Sequence, residues 1–464
     1  MTVLFSEMNY KEFLRSKDEA VPPSGFDVSL DEINENAFLF QKHLIAWACK
    51  KGKAALLTGC GTGKTLMLLE WSRLVNAKSG GCILIFSPLS VVKQTVREAE
   101  KFGIGTVTIC RSMDDVRDGI NITNYEMMEH FDLSRFSGVV LDESSIIKGY
   151  NSQTTEYMIR ELQPVPYRLL CTATIAPNDY SEIATSCAAL GIMSRTEMLA
   201  TYFIHDSGKT SEWRLKNAGK TRFWEWMATW AMYFENPREL GYEVDGYDLP
   251  ALNIHTIITK SELHEYELFA KVAETLDERR EARKESMEER TDKAAKLANG
   301  SDEQWLMWVD YNDESALLHR KTINSVEIKG SDEPETKADA SLNFANGSIH
   351  ALVSKSSIFG FGSNFQSCKK MIFCGLSDSY ERFYQAVRRC WRFGQKHDVD
   401  VYIILSEREL SILDNIKKKQ RLMDEMQRQM TSLMRDVMLS EIQNTTRITD
   451  HYEPKERMEM PEWI

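Results

Sequence analysis

The chain has 464 residues, of which 42% are hydrophobic and 27% are charged. These fractions are close to those of globular proteins and exclude a disordered or fibrous chain. One hydrophobic core rarely serves more than about 300 residues, so the length predicts two domains. No run approaches the roughly 20 apolar residues that cross a bilayer, and the N-terminal residues do not resemble a targeting segment. We therefore expect a cytosolic protein that does not act at a membrane.

Cysteine spacing and net charge exclude further classes. The nine cysteines are odd in number and show no C-x2-C pair, which argues against a disulfide framework and against a zinc site. The net charge of −12 argues against a broadly basic surface for nucleic acid. A groove can still be locally basic on an acidic protein, so a nucleic-acid partner is not excluded.

The first half of the chain alternates short apolar runs with helix-like patterns, which is typical of a parallel sheet built from βα units. We predict strands at residues 54–57, 82–86, 107–110, 138–141 and 168–171. A Trp-rich helical stretch follows at residues 223–232. We interpret its tryptophans as core packing against the first lobe rather than as a surface for base stacking.

The second half begins with residues 262–298, which are dense in charges of both signs and lack Pro and Gly. This pattern predicts a solvated helix or helical hairpin. A second βα region has predicted strands at residues 305–309, 349–353, 370–374 and 399–405. Beyond it, apolar residues repeat at spacings of three and four, namely Leu422, Met426, Met430, Leu433 and Val437. We expect this C-terminal helix to dock on the second lobe.

The segment AALLTGCGTGKT runs from an apolar strand through a glycine-rich turn into a helix. Glycines let backbone N–H groups curl around a phosphate, and the helix N-terminus adds its positive dipole. The predicted nucleotide-binding residues are Gly59, Gly61, Thr62, Gly63, Lys64 and Thr65. Lys64 is expected to reach the β and γ phosphates, and Thr65 to ligate Mg²⁺. Thr58 stands where the strict G-x4-G-K-[ST] pattern has its first glycine.

A nucleotide site also needs an acid for Mg²⁺ and a group that orients the attacking water. The segment GVVLDESS supplies both, since an apolar strand ends at Asp142 and Glu143 follows. Asp142 is predicted to hold Mg²⁺ through water, and Glu143 to activate the water. A DE pair is usually surface charge, but its place at the end of a buried strand indicates a catalytic role. ATP and Mg²⁺ are therefore the predicted ligands.

Together these segments resemble a helicase-type ATPase of superfamily 2, nearest to its Swi/Snf-like branch and more loosely to compact versions from bacteriophages and mobile elements. The resemblance extends from about Phe38 to Gln395. It implies an α/β fold of two RecA-like P-loop lobes, parallel sheets flanked by helices, with a helical insertion and a C-terminal helix. The implied divisions are an N-terminal extension (1–36), lobe 1 with the ATP site and the Trp-rich segment (37–250), a linker with the charged insertion (251–300), lobe 2 (301–408), and the C-terminal helix and tail (409–464).

The resemblance assigns further roles in the first lobe. FLFQKHLIAW resembles the adenine-reading motif, with Gln41 on the base. LIFSPLSVVKQTVREAEKF resembles motif Ia and ITNYEMM motif Ib, which implies contacts to a nucleic-acid backbone. Those contacts would come from Ser87, Pro88, Thr123 and Tyr125. DESS departs from the commoner DEAH ending at Ser145, and CTAT resembles motif III, which couples hydrolysis to strand contact.

The second lobe continues the resemblance. VSKSSIFGFGSNFQ resembles motif V, with Gly360, Gly362, Asn364 and Gln366 at the family spacing, and QAVRRCWRFGQ resembles motif VI, with Gln385, Arg389, Arg392, Gly394 and Gln395. Arg388 stands where glycine is usual, which leaves three arginines to assign. We predict Arg392 as the arginine finger, with Arg389 and Gln385 also catalytic. Predicted nucleic-acid contacts are Lys355, Gly362 and Asn364, while the basic run at 417–421 is equally explained as a solvated helix face.

The resemblance implies a nucleic-acid-dependent ATPase that translocates on DNA, above all duplex DNA, or remodels complexes on it. Three alternatives stay open. One is a strand-separating DNA or RNA helicase, and another is a P-loop kinase or metabolic ATPase that acts on a small molecule. The third is an ATPase subunit driven by a protein partner. Protein partners in DNA replication, recombination or defence are compatible with all of these.

Overall fold

The computed structural model describes residues 21–147, 153–174, 182–205, 213–216, 219–260, 275–359 and 364–446. The predicted motif V residues Gly360 and Gly362 lie outside the described residues, as do most of the predicted N-terminal extension and the end of the C-terminal tail. Among the residues described, no helix is both long and apolar enough to cross a membrane.

The first lobe is built on a seven-stranded parallel sheet with the order β3-β4-β2-β5-β6-β1-β9. Its strands are β1 (Lys53–Thr58), β2 (Ile83–Ser87), β3 (Val107–Ile109), β4 (Ile120–Asn124), β5 (Gly138–Asp142), β6 (Tyr167–Thr172) and β9 (Ala231–Phe234). The short strands β7 (Phe203–His205) and β8 (Trp213–Leu215) form a separate antiparallel pair. Every residue of β2 and β5 is buried, because helices cover both faces of the sheet.

The helices of this lobe follow its strands in alternation. They are α1 (Leu39–Lys51), α2 (Lys64–Ser79), α3 (Leu89–Lys101), α4 (Gln153–Leu162), α5 (Ile183–Leu190), α6 (Arg195–Tyr202) and α7 (Lys220–Ala228). The Trp-rich segment is helical only as far as Ala228, and its last residues form the edge strand β9. Trp224 and Trp230 are fully buried, so the prediction that these tryptophans pack in the core is confirmed.

The second lobe has a six-stranded parallel sheet with the order β10-β15-β14-β11-β13-β12. Its strands are β10 (Leu252–Thr259), β11 (Trp305–Val309), β12 (Ser325–Ile328), β13 (Ala351–Lys355), β14 (Lys370–Cys374) and β15 (Val399–Ser406). Its helices are α8 (Leu276–Glu285), α9 (Met287–Asn299), α10 (Asn312–Lys321), α11 (Pro334–Ala345), α12 (Ser356–Phe359) and α13 (Tyr380–Val387), and α14 (Leu410–Thr446) follows the sheet. The predicted fold of two parallel-sheet α/β lobes with a C-terminal helix is confirmed.

Of residues 251–300 the structure describes 251–260 and 275–300. The predicted helical character is confirmed there by α8 and α9, but residues 252–259 form a strand rather than a linker, and α9 packs on the sheet rather than being solvated on all sides. The strand β10 pairs along its whole length with β15, so the second sheet begins at Leu252. Helix α9 buries Ala294 and Ala298 against that sheet. The linker and the solvated surface were predicted wrongly because β10 is an edge strand with mostly exposed side chains, and because the buried face of α9 combines alanines with Arg290 and Thr291 among many charges.

The C-terminal helix was expected on the second lobe, and this prediction is wrong. Helix α14 starts on lobe 2 but then packs along α1, α7 and β9 of lobe 1. There Trp47 Nε1 donates a hydrogen bond to Glu441 at 3.2 Å, and Lys51 pairs with the same carboxylate at 2.8 Å. The buried stripe runs through Met423, Met426, Met430, Met434 and Met438, whereas Leu422 faces outward. The spacing of three and four identified a helix with one apolar face but could not identify the partner of that face.

Candidate nucleotide site

The glycine loop, residues 59–65, connects the carboxyl end of β1 to the first turn of α2. Gly61 and Gly63 have φ values of 90° and 83°, a backbone region that L side chains rarely adopt. A Cβ atom on Gly63 would lie 2.2 Å from Gln41 Nε2. The positive φ at Gly61 and Gly63 therefore favours glycine at this turn, which leads into a helix N-terminus of the kind whose backbone N–H groups bind anions.

Three side chains hold the glycine loop in its curled form. Lys64 Nζ donates hydrogen bonds to the carbonyl oxygens of Thr58 and Gly59, at 2.7 and 3.0 Å. The Thr58 and Thr62 hydroxyls share a hydrogen bond of 2.7 Å, and Thr62 also donates to Gly59 O at 2.9 Å. Thr58, which replaces the usual first glycine, thus braces the loop. Thr65 follows Lys64 in the same helical turn and is half-buried.

Gln41, the predicted base-contacting residue, lies directly behind the glycine loop. Its Nε2 donates to Thr62 O at 2.9 Å, and its Oε1 accepts from Phe38 N at 2.8 Å. The side chain is 3% exposed. Gln41 therefore links the start of α1 to the loop, and contact with a base stays a prediction.

Asp142 and Glu143 stand at the carboxyl end of β5, at the same edge of the sheet as the glycine loop. Burial, followed by the charge of Glu143, raises the pKa of Asp142 to about 7, against a hydrogen bond from Ser87 and the charge of Lys64. Ser87 Oγ donates that hydrogen bond at 2.9 Å. Burial also raises the pKa of Glu143, and the charges of Lys64 and Arg389 oppose the rise. Burial thus disfavours the ionised form of both carboxylates, and nearby positive charge is needed to keep them ionised.

The backbone and side chain of Glu143 both have features that are typical of functional residues rather than of packing residues. Its φ is 52°, which is uncommon for a residue other than glycine and often marks functional sites. Its Oε2 is buried and has no hydrogen-bond partner among the described residues. The backbone N–H of Ala173, in the CTAT segment, donates to its carboxylate. One carboxylate oxygen is thus held while the other is available to a ligand or water.

The second lobe brings its motif VI arginines to this same cleft. Arg389 lies within electrostatic reach of Glu143, and both Arg389 and Arg392 lie near Cys60 of the glycine loop. Burial lowers the pKa of Arg392 to about 10, with the neighbouring Arg389 charge adding to the effect. Arg388, the arginine at the position where glycine is usual, forms an ion pair with Glu235 of lobe 1. Arg389 and Arg392 are therefore the two arginines placed toward the acid pair and the glycine loop.

Thr174 links the two lobes by a hydrogen bond, and Gln385 of motif VI is buried with polar atoms that are unpartnered within the described part of the chain. Gln385 is 1% exposed, and neither its Nε2 nor its Oε1 has a hydrogen-bond partner among the described residues. Thr174 Oγ1 donates to Glu381 Oε1 across the cleft at 3.0 Å. Since Ala173 binds Glu143, the CTAT segment connects the acid pair directly to lobe 2.

The residues present fit a nucleotide with Mg²⁺. A Cβ atom at position 59, 61 or 63 would be crowded by its neighbours, and the nearby carboxylate pair lies within electrostatic reach of Lys64, with Glu143 also within reach of Arg389. Buried carboxylates and unpartnered polar atoms each cost free energy. A ligand that carries both phosphate oxygens and a cation would offset that cost.

Residues 289–394 match the family model of the helicase conserved C-terminal domain. The matched segment includes β11 to β14 and the arginines of motif VI, and it supports a helicase-like ATPase of superfamily 2. No curated protein sequence matches the chain. Among solved structures, the chain is similar to the SWI2/SNF2 ATPase core of Sulfolobus solfataricus in complex with dsDNA. The identity is 16% and the TM-score 0.40, over 89% of this chain and 95% of that chain.

The predicted nucleic-acid contacts of the first lobe lie partly beneath the surface. Ser87 and Thr123 are buried, Ser87 on Asp142, and the Tyr125 hydroxyl donates to the Asp142 carbonyl oxygen at 2.7 Å. Pro88 is half-buried at the start of α3. In this conformation these motifs brace the acid pair, and their contact with a strand stays a prediction.

The predicted contacts of the second lobe are more accessible. Asn364 is exposed, and its side chain accepts from Gln366 N at 3.4 Å. Lys355 is half-buried at the end of β13. The basic run at 417–421 lies on the outer part of α14, where Lys419 donates to Asp378 O at 2.9 Å. Their role in binding nucleic acid stays a prediction.

Sequence reasoning missed four residues that touch the site. Glu235 and Glu381 are acids with no motif around them. Phe393 of lobe 2 packs on the glycine loop, since a Cβ on Gly61 would lie 3.1 Å from Phe393 Cβ. Tyr247 packs on the Phe393 ring with centroids 4.6 Å apart. The one available signal was Phe393, the residue of RFGQ that has no assigned role in motif VI.

Proposed function

We propose that the chain is a superfamily 2 ATPase that is stimulated by nucleic acid and uses ATP hydrolysis to move along DNA, with duplex DNA as its track. One observation carries the ATPase part. Glu143 lies within electrostatic reach of Lys64 in its own lobe and of Arg389 in lobe 2, in a buried part of the cleft.

Each residue of lobe 1 has a distinct task in this proposal. The backbone N–H groups of the glycine loop and Lys64 bind the ATP phosphates, and Thr65 and Asp142 hold Mg²⁺. When bound, Mg²⁺ neutralises charge on the phosphates. Glu143 accepts the proton of the attacking water through its free oxygen, while Ala173 N–H keeps the carboxylate oriented. Lys64 favours the ionised form of both carboxylates that these tasks require.

Lobe 2 completes the site only when the lobes are together. Arg389 and Arg392 then offset the negative charge that develops on the transferring phosphoryl group, an effect worth about 10³ to 10⁵ in rate for a typical arginine finger. Gln385 supplies polar atoms that are otherwise unpartnered. The hydrogen bond from Thr174 to Glu381 links lobe 2 to the segment that holds Glu143, so a movement of lobe 2 moves that segment. Hydrolysis and lobe movement are thereby coupled.

The DNA part of the proposal has separate support. The helicase C-terminal domain match at residues 289–394 supports a nucleic-acid partner, and the Swi/Snf-like resemblance of the motifs favours a duplex. Residues of motifs Ia and Ib contact Asp142 from behind, so a strand that displaced Ser87 or Tyr125 would act directly on the proposed Mg²⁺ ligand. This gives nucleic acid a short physical route to the ATPase site.

The test is steady-state ATP hydrolysis by the full chain, alone and with single-stranded DNA, duplex DNA or RNA. Lys64→Ala should abolish turnover, and Glu143→Gln should bind nucleotide without hydrolysing it. Strong stimulation by duplex DNA is expected. A preference for single strands or RNA would favour a strand-separating helicase, which an unwinding assay would then check. Turnover without any nucleic-acid stimulation would contradict the proposal and favour a small-molecule or partner-driven ATPase.

A further inference from the structure

Glu235 lies where lobe 1 meets both lobe 2 and the C-terminal helix. It follows the edge strand β9 and stands beside the glycine loop, where Gly59 N donates to Phe234 O at 2.9 Å. A Cβ on Gly59 would come within 2.5 Å of Glu235 Oε2. The carboxylate therefore packs on the first residue of the loop that is proposed to hold phosphate.

Arg388 of lobe 2 meets this carboxylate. Its Nη2 donates to Glu235 Oε2 at 2.9 Å, and its side chain is 6% exposed. Its Nε donates to the Tyr384 hydroxyl at 3.1 Å, and its guanidinium lies over the rings of Tyr384 and Trp391, at 5.3 and 4.9 Å from their centroids. Burial opposes the charge, but Tyr384 and Glu235 outweigh it and raise the pKa of Arg388. The arginine is thus charged and held on several sides.

The C-terminal helix contributes a third contact. Gln427 Nε2, on α14, donates to Glu235 Oε1 at 3.1 Å. One turn further on, Thr431 Oγ1 donates to Glu239 Oε2 at 3.2 Å, and Arg435 Nε donates to Glu239 O at 3.0 Å. The carboxylate of Glu235 therefore joins the glycine loop, motif VI and α14 at one point.

We propose that the Glu235–Arg388 ion pair is a positioning contact that sets the motif VI arginines against the glycine loop when the lobes close. Arg388 directly precedes Arg389, whose backbone and Nε are anchored to the same helical turn, with Nε donating to Gln385 O at 2.9 Å. Fixing Arg388 on lobe 1 therefore fixes the direction from which Arg389 faces Glu143. The proposal rests on the ATPase function above and assigns to Arg388 a role other than phosphate contact.

Burial distinguishes this pair from an ordinary contact between lobes. Lys93 of α3 and Glu335 of α11 also face each other across the lobes, but at 4.0 Å and with side chains 61% and 79% exposed. Such an exposed pair contributes little because water and salt screen it. The Glu235–Arg388 pair is short and shielded by aromatic rings, with Arg388 6% and Glu235 24% exposed, so the loss of Glu235 leaves the buried charge of Arg388 without its anion.

The kinetic test compares Glu235→Gln, Arg388→Gln, the double variant and Arg388→Lys, with Glu335→Gln as the matched control. Removing either charge should lower kcat about tenfold or more, as expected for a hydrogen bond between charged groups, with the KM for ATP unchanged within about twofold. The double variant should be no worse than either single one, because the two residues act as a pair. Arg388→Lys should recover part of kcat, and Glu335→Gln should match the wild type.

A second measurement does not depend on turnover. Small-angle X-ray scattering of the full chain without nucleotide should show a larger radius of gyration for Glu235→Gln and Arg388→Gln than for the wild type and Glu335→Gln. Unchanged kcat, or additive losses in the double variant, would overturn the proposal for an active enzyme. If the wild type hydrolyses no ATP under any condition, the proposed function fails, and unchanged scattering in the variants would then refute the pairing on its own.

Discussion

The buried guanidinium of Arg290 joins three separate segments of the second lobe. Its Nη1 donates to both carboxylate oxygens of Glu409, at 2.7 and 2.8 Å, and its Nη2 donates to Glu314 Oε1 at 2.6 Å. All three side chains are at most 1% exposed. Burial raises the pKa of Glu314, and the charge of Arg290 opposes that rise. Helices α9 and α10 and the turn after β15 are thus held together by one cation.

We expect Arg290→Met to destabilise the protein by about 3 to 5 kcal/mol, the range for breaking a buried ion pair from one side. The methionine replaces the volume but leaves the buried Glu314 and Glu409 without their cation, so the pKa of Glu314, which burial already raises, rises further above the unfolded value of about 4.3. A raised carboxyl pKa destabilises the folded state at pH values above it, and the penalty disappears as the pH falls below the unfolded value. The loss should therefore be larger at pH 8 than at pH 5.

Urea unfolding at both pH values measures this, with Lys321→Met as the control on the same helix pair. Lys321 pairs with Glu288 and Asp292 at 2.7 and 2.6 Å, but those carboxylates are 65% and 64% exposed. Its replacement should cost at most about 1 kcal/mol. A loss for Arg290→Met that is no larger than this, or that is the same at pH 5 and pH 8, would refute the electrostatic reasoning.

Three further predictions concern the cleft and the C-terminal helix. Arg392→Ala should leave binding of a fluorescent ATP analogue intact while lowering turnover about 10³-fold, as for other arginine fingers; loss of binding would make this arginine structural. In a Cys82→Ser background, Cys60 is the one cysteine that is not buried, so maleimide should label it and ATP with Mg²⁺ should slow the labelling. Equal labelling rates would place the nucleotide elsewhere. Met434→Ala should destabilise the fold by about 2 to 5 kcal/mol and expose α14 to protease, whereas Leu422→Ala should cost under about 1 kcal/mol; equal effects would contradict docking of α14 on lobe 1.

The nucleotide site could be predicted from the sequence because its residues are restricted by their own backbone conformation. The glycine loop follows its strand and opens its helix without interruption, and Gly61 and Gly63 require a backbone that only glycine adopts easily. Asp142 ends a run of buried residues, so its position at the sheet edge follows from the strand itself. These signals lie within a few consecutive residues and do not depend on what packs around them. Their catalytic roles stay predictions that the proposed experiments test.

Edge elements were predicted poorly for a related reason. The strand β10 pairs with a neighbour on one side only and leaves most of its side chains exposed, so no apolar run marks it. Strand β9 lies at the other sheet's edge and was read as the continuation of a helix, since its four buried residues follow a helical pattern closely. The spacing of apolar residues along the sequence reflects which side chains are buried. At the edge of a sheet, burial is a weak guide to strand formation.

Two parallel-sheet lobes, the glycine loop, the acid pair and the arginine cluster could be predicted without a structure, because each consists of contiguous residues whose local geometry is restricted. The contacts between side chains of distant segments could be seen only in the folded chain. Folding brought Glu235 to Arg388, Glu381 to Thr174 and the methionine stripe of α14 to lobe 1. A charged residue or an apolar stripe indicates that a partner is needed, but it does not identify the partner. Ion pairs and buried contacts form between residues at any separation along the sequence.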